Sequence, residues 1–234
     1  MKKILCLGVF LAGNVWAEPL IVTTEDAPPY NYSTDGGKTI TGSATDIVHE
    51  LFKRAHVDYS ISMYPWERAF FMARDEKNTC VYSTTRTEAR EHQFQWVGPV
   101  ARNDWVLFAL ENSSISLKTL DDARKYRVGG YRGDAVAVYL EEQKFAMDNA
   151  ANDEQTIKKL MAGRIDIWAT GISAGPWFAK KFGAKIKPLL NLRATELHLA
   201  CNPGVPSATI LTLNQTLKAM VKDGTTARIF QQYQ

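Results

Sequence analysis

Apolar and polar positions along the chain switch between two periods. Leu20–Thr24, residues 59–64 and the run that begins at Cys80 are short, apolar or alternating, and rich in β-branched and aromatic residues, which predicts strands. Between them the spacing lengthens. Residues 45–55 place Ile47, Leu51 and Phe52 on one face, and Pro65-Trp66-Glu67-Arg68 opens a second helix with Pro at its first turn. Thr87-Glu88-Ala89-Arg90 reads as the capped first turn of a third. The first 90 residues therefore run strand, helix, three times over, which predicts a mostly parallel α/β sheet. In such sheets ligands collect outside the carboxyl ends of the strands. Glu25, the Tyr30 loop, Trp66 and the Thr85–Arg90 turn all follow strands and so fall on one edge.

After residue 90 the pattern pauses and restarts. Residues 94–99 read as a loop with two aromatics, and Trp105–Leu110 as a strongly apolar strand. Helices are expected over 117–124, from the 131–135 turn to about 142, over 153–162 and over 173–182. Strands are expected over 127–130, 165–169 and Glu196–Cys201. This second series predicts a smaller α/β lobe. Two terminal helices, over 210–222 and 226–233, are divided by Asp223-Gly224.

Composition narrows the class. The chain is 45% hydrophobic and 23% charged, as globular proteins are. Residues 1–17 have a Lys2-Lys3 start, an apolar run and a Val15-Trp16-Ala17 end, the pattern of a secretory signal peptide. The chain has 28 basic and 25 acidic residues; without those two lysines its charge falls from +3 to +1, which argues against nucleic acid or an anionic membrane as partner. A soluble, periplasmic monomer is expected. Beyond the leader, Cys80 and Cys201 remain. They permit one disulfide in an oxidising compartment, but two buried thiols are the preferred reading.

The stretch Cys80–Arg90 carries the densest candidate chemistry. Ser83, Thr84 and Thr85 bring hydroxyls to a strand end, and Arg86 and Arg90 bring guanidinium forks beside free amides of a helix start. Together they suit a small anion such as a carboxylate. The alternative is that Thr87 only caps and the arginines sit in water or pair with Glu88 and Glu91. Tyr30 and Tyr32 are either stacking platforms or half-buried loop aromatics. Trp66, with Arg68 beside it, either faces a cleft or joins the core. His49, His56, His92 and His198 lack metal-ligand spacing, and there is no nucleophile elbow, P-loop or dinucleotide fingerprint. Neither cofactor nor metal is expected. Glu25 is the one residue a dehydratase reading could use as general acid, and its neighbour Asp26 points away from it along an extended loop.

The order of these pieces resembles the family 3 periplasmic solute-binding proteins, the polar amino acid type that feeds ABC importers. The shared marks are Thr24-Glu25-Asp26-Ala27-Pro28-Pro29-Tyr30, Thr41-Gly42, Pro65-Trp66-Glu67-Arg68-Ala69, Arg86-Thr87-Glu88-Ala89-Arg90-Glu91, Phe94-x-Trp96-Val97-Gly98-Pro99 and Gly163-Arg164-Ile165-Asp166. The resemblance implies a two-lobed binding fold with two crossing hinge strands, 105–109 and 197–201. Lobe one would be 18–109 plus 202–234, and lobe two 110–201. It implies a ligand carboxylate on Arg90 with Ser83 and Thr85, an aromatic wall from Tyr30, Trp66 or Tyr131, and an ABC permease, or else a membrane receptor, as partner. Two positions depart from the pattern. The acid that holds a ligand's α-amino group is missing at Thr170 or Gly171. Asp134 also stands at a helix start where a hydroxyl is usual, opposing an anion unless Arg132 neutralises it.

Overall fold

A computed structural model describes residues 18–233; the expected signal peptide lies outside them. The elements run β1 (Leu20–Thr24), α1 (Ser43–Ala55), β2 (Tyr59–Met63), α2 (Trp66–Asp75), β3 (Thr79–Thr85), β4 (Gln95–Arg102), β5 (Trp105–Leu110), β6 (Val128–Gly129), α3 (Ala135–Glu142), α4 (Asp153–Met161), β7 (Ile167–Gly171), α5 (Ala174–Phe182), β8 (Ile186–Arg193), β9 (Glu196–Cys201), α6 (Ser207–Lys222) and α7 (Thr225–Gln231). They build two sheets, ordered β2-β1-β3-β9-β4 and β6-β7-β5-β8. The first three strands are parallel, as their alternation with helices requires, and β9 runs antiparallel between β3 and β4.

Each sheet is covered on both faces, the arrangement that lets an α/β lobe bury strands apolar on both sides. In the first lobe Ile47, Leu51 and Phe52 of α1 and Leu213 and Leu217 of α6 pack with Val22, Tyr82 and Leu199. On the opposite face Trp66, Ala69 and Ala73 of α2 meet Val81 and Ala200. In the second lobe Val136 and Leu140 of α3 cover one face of β5–β7, and Ile157, Leu160 and Phe178 the other.

The lobe boundaries differ from those expected. Strand β5 lies in the second sheet and β9 in the first, so the crossings fall in the short connections 103–104 and 194–195 rather than within the strands. Asn103 N–H donates to Thr195 C=O (2.9 Å) and Thr195 N–H to Asp104 Oδ1 (3.3 Å), which ties the two connections together. Residues 94–99, expected as a loop, fall mostly in edge strand β4 (Gln95–Arg102), whose register shifts between Val97 and Ala101 around Gly98-Pro99. Strand β8 had no sequence signal. It is a half-buried edge strand containing Pro188, a position sheets tolerate only at an edge.

The preferred reading of two free thiols is also overturned. Cys80 and Cys201 form a disulfide. They stand directly opposite in the β3–β9 ladder, 4.0 Å apart at Cα, a proximity created by strand pairing across 121 residues.

Candidate functional site

The lobes meet around a cavity of about 40 Å³ at the carboxyl ends of β1 and β3. From the first lobe it is lined by Glu25, Tyr30, Trp66, Ser83, Thr85 and Arg90, and from the second by Tyr131, Asp134, Asp153, Thr170 and Gly171, with Asn103 at the hinge. Glu25 and Leu197, 172 positions apart, thus line one cavity, and residues from the two sheets face each other across it.

Arg90 is the centre of the first wall. The expected capped α-helix is instead a 3₁₀ turn, Glu88–Gln93, with no side-chain cap from Thr87. The tighter turn points Arg90 inward and Arg86 outward. Arg86 pairs with Glu91 at the surface (Nε–Oε2 2.7 Å), so the surface-pairing alternative holds for that arginine alone. The Arg90 guanidinium is buried. It donates to Thr85 C=O (3.2 Å) in its own lobe and to Gly133 C=O (2.9 Å) in the other. The rings of Phe70 and Trp66 lie 5.0 and 5.4 Å from its carbon centre, over which a cation is favourably placed. Burial pulls its pKa below the ordinary arginine value, while Asp134, Tyr131 and Glu25 hold it up.

Ser83 adds an unusual detail. Its φ of 59° is left-handed, in the middle of a strand, at the register shift between Val81 and Thr84. A non-glycine residue in that region costs of order 1–3 kcal/mol and is retained where its side-chain direction matters. Its buried Oγ has no hydrogen-bond partner.

Several bonds bridge the lobes. Trp66 Nε1 donates to the same Gly133 carbonyl as Arg90 (2.8 Å), the Tyr131 hydroxyl donates to Glu25 Oε1 (2.9 Å), and the Tyr30 hydroxyl meets Ser173 Oγ (3.1 Å). Within its own lobe the Tyr30 hydroxyl also donates to Arg102 C=O (2.8 Å). This is a closed arrangement. Tyr30 is fixed by its hydroxyl at the hinge, and burial pushes its pKa up to about 12. Tyr32 lies against Trp177 of α5, ring centres 5.8 Å apart. Outside the cavity, a groove of about 470 Å³ between α2 and α3 reaches the Trp66–Arg90–Gly133 wall from the solvent side.

Two expected residues are not in the cavity. Arg68 is exposed, its guanidinium 4.3 Å from the Tyr64 ring; two positions beyond Trp66, it turns to the other side of α2. Arg132 is exposed near Glu67 (3.9 Å). It therefore cannot be what faces Asp134; Arg90 is.

The second wall contains what sequence reasoning missed. No acid follows β7. A Cβ at Gly171 would lie 2.0 Å from Asn103 Oδ1, so the hinge amide fills that space. An acid comes instead from the start of α4: Asp153 accepts from Trp168 Nε1 (3.0 Å) and the Thr170 hydroxyl (3.1 Å). Asp153 looked like an ordinary acidic first-turn residue, and only the packing of α4 on β7 turns it inward. Burial, with the Asp134 charge adding, pushes its pKa up to about 8. Burial raises Asp134 to about 6 against the opposing pull of Arg90. Burial, with Asp134 beside it, holds Glu25 well above the usual carboxylate range.

Two α/β lobes joined by paired crossing segments, closed over a buried arginine and several carboxyls, define the class of two-lobed binding proteins. Residues 20–234 match the bacterial extracellular solute-binding proteins, family 3, and the chain belongs to that family, one of binding proteins rather than enzymes. Among the described residues no group of His, Cys, Asp and Glu could hold a metal ion, and no helix is long and apolar enough to cross a membrane. Comparison with curated proteins finds no match. Among solved structures, the fold is shared with a histidine kinase sensor domain similar to periplasmic binding proteins (TM-score 0.85, 17% identity, 92% of this chain and 96% of that one). It is shared with the GluR0 ligand-binding core of Nostoc punctiforme in complex with L-glutamate (0.81, 19%, 92% and 99%). It is also shared with an arginine transport-system periplasmic binding protein of Legionella pneumophila (0.76, 21%, 92% and 99%).

Proposed function

We propose that the protein captures a small, amino-acid-like solute between its lobes, outside the inner membrane, and presents it to the permease of an ABC importer. The observation that carries this reading is Arg90, a buried guanidinium bonded to both lobes at once and adjacent to the unpartnered Ser83 hydroxyl. A solute carboxylate entering from the cleft takes donors from Arg90 and Ser83, with Thr85 alongside and Tyr30, Trp66 and Tyr131 shaping the space. Water-free closure strengthens each of these contacts. The glutamate-bound GluR0 core and the arginine transport-system protein support the amino acid class, and the latter supports the importer. The sensor-domain likeness supports a second reading, docking to a membrane receptor, which shares the same cavity.

The test is a ligand screen by thermal shift on the mature chain, because a solute that binds the native state raises its melting temperature. Amino acids are expected to stabilise the protein and Arg90→Ala to remove the shift. Normal binding by that variant refutes the role of Arg90. Co-purification of a receptor rather than a permease after crosslinking favours the second reading.

A further inference from the structure

The cavity holds more acid than its arginine balances. Glu25 from the loop after β1, Asp134 before α3 and Asp153 at the start of α4 converge on a space that contains one cation, Arg90. Asp134 is accounted for. It stands at the start of α3, where the amides of Ala135 and Val136 lower its pKa, and Arg90 is its leading opposite charge. Glu25 and Asp153 are not. The partners of Glu25 and Asp153 are neutral: the Tyr131 hydroxyl for the first, the Trp168 indole and Thr170 hydroxyl for the second. Nor does Asp153 serve as the helix cap, since Asn152 does so by accepting from Gln155 N–H (3.0 Å). A buried carboxyl without a counter-charge is costly and must either keep its proton or meet a cation. Ser83, 8% exposed with an unpartnered Oγ on the same wall, independently marks the space as a binding site.

We infer that the guest carries a net positive charge and presents amine nitrogens to Glu25 and Asp153. The inference rests on the proposed placement of the solute in this cavity and specifies its charge. If a carboxylate occupies Arg90, the guest needs two cationic nitrogens; if none does, one suffices. The geometry also couples binding to protons. Glu25 faces Arg90, Tyr131, Asp134, Asp153 and Asp26, and Asp153 faces Asp134; burial first, and this predominantly acidic surrounding second, keep the two carboxyls protonated until a cation arrives. Binding then releases protons, and affinity rises as pH increases toward about 8, where Asp153 gives up its proton unaided.

Calorimetric titration of the mature chain with lysine, norleucine, glutamate and 1,5-diaminopentane tests this. Lysine is expected to bind at least about 10-fold more tightly than norleucine or glutamate, with the heat varying with buffer ionisation as proton release requires. Glu25→Gln, and separately Asp153→Asn, should each weaken lysine by roughly 30-fold or more, the usual consequence of removing one partner of a buried charge pair. The unliganded variants, checked by circular dichroism, should stay folded. Norleucine or glutamate binding as tightly as lysine overturns the inference while leaving a carboxylate on Arg90 intact. Diaminopentane binding as well as lysine does the reverse. Failure of both cationic probes to bind, or lysine binding unchanged in both variants, overturns it.

Discussion

The two walls of the cavity were assembled differently. The first-lobe wall comes mainly from one continuous stretch, Ser83 to Arg90, in which a strand end, a strained serine and a 3₁₀ turn supply hydroxyls and a guanidinium. The second-lobe wall is a composite of Tyr131, Asp134, Asp153 and Thr170, drawn from three elements and backed by a hinge residue, and it supplies acid. The first lobe is also stapled by Cys80–Cys201, whereas the described part of the second has no disulfide. The difference teaches that the one cation of the cavity is locally encoded, whereas two of its three acids, Asp134 and Asp153, stand on the wall that packing assembles.

Four interventions probe that contrast, in descending order of effect. Arg90→Ala should cost about 2–5 kcal/mol of binding, beyond detection for a solute of ordinary affinity, as measured by calorimetry. Removing the disulfide by Cys80→Ser with Cys201→Ser should lower stability by about 2–5 kcal/mol. Hydrogen exchange should show the loss in β3 and β9, with β5 and β7 unchanged; equal loss in both sheets would contradict separate lobes.

Gly171→Ala places a methyl where Asn103 Oδ1 sits and should destabilise the closed form by about 1–3 kcal/mol, read as a lower melting temperature. Restoring an acid at this position would displace the same hinge side chain. Asp153 gives a smaller, pH-dependent effect. Its folded pKa, about 8, exceeds its ordinary value, so the folded state binds the extra proton and stability falls as pH rises toward 8. Asp153→Asn should flatten that decline in thermal melts between about pH 5 and pH 8; an unchanged slope would assign the decline to Glu25 instead.

Legibility in the sequence followed the same division. The alternation of strand and helix, and the placing of Arg90 at the edge where β1 and β3 end, could be read because each signal is local. Arg68 and Arg132 were expected in the cavity because neighbours in sequence were grouped together, while a two-residue step on α2 and an exposed turn carry them outward. Strand β4 was hidden by Gly98-Pro99 and β8 by Pro188, and the change of sheet occupies only two residues in each crossing. Asp153 was invisible, and the Cys80–Cys201 bond was readable only as the less favoured of two alternatives, for one reason: each depends on what another element brings beside it.

Asn103 belongs to the pivot and to the pocket simultaneously. Its backbone is tied to Thr195 in the companion crossing, while its side chain occupies the space at Gly171 and lies 3.3 Å from the Tyr30 hydroxyl. Any swing of the lobes therefore reshapes the chamber from its rear as well as its mouth, and solute recognition and the opening angle become one mechanical variable.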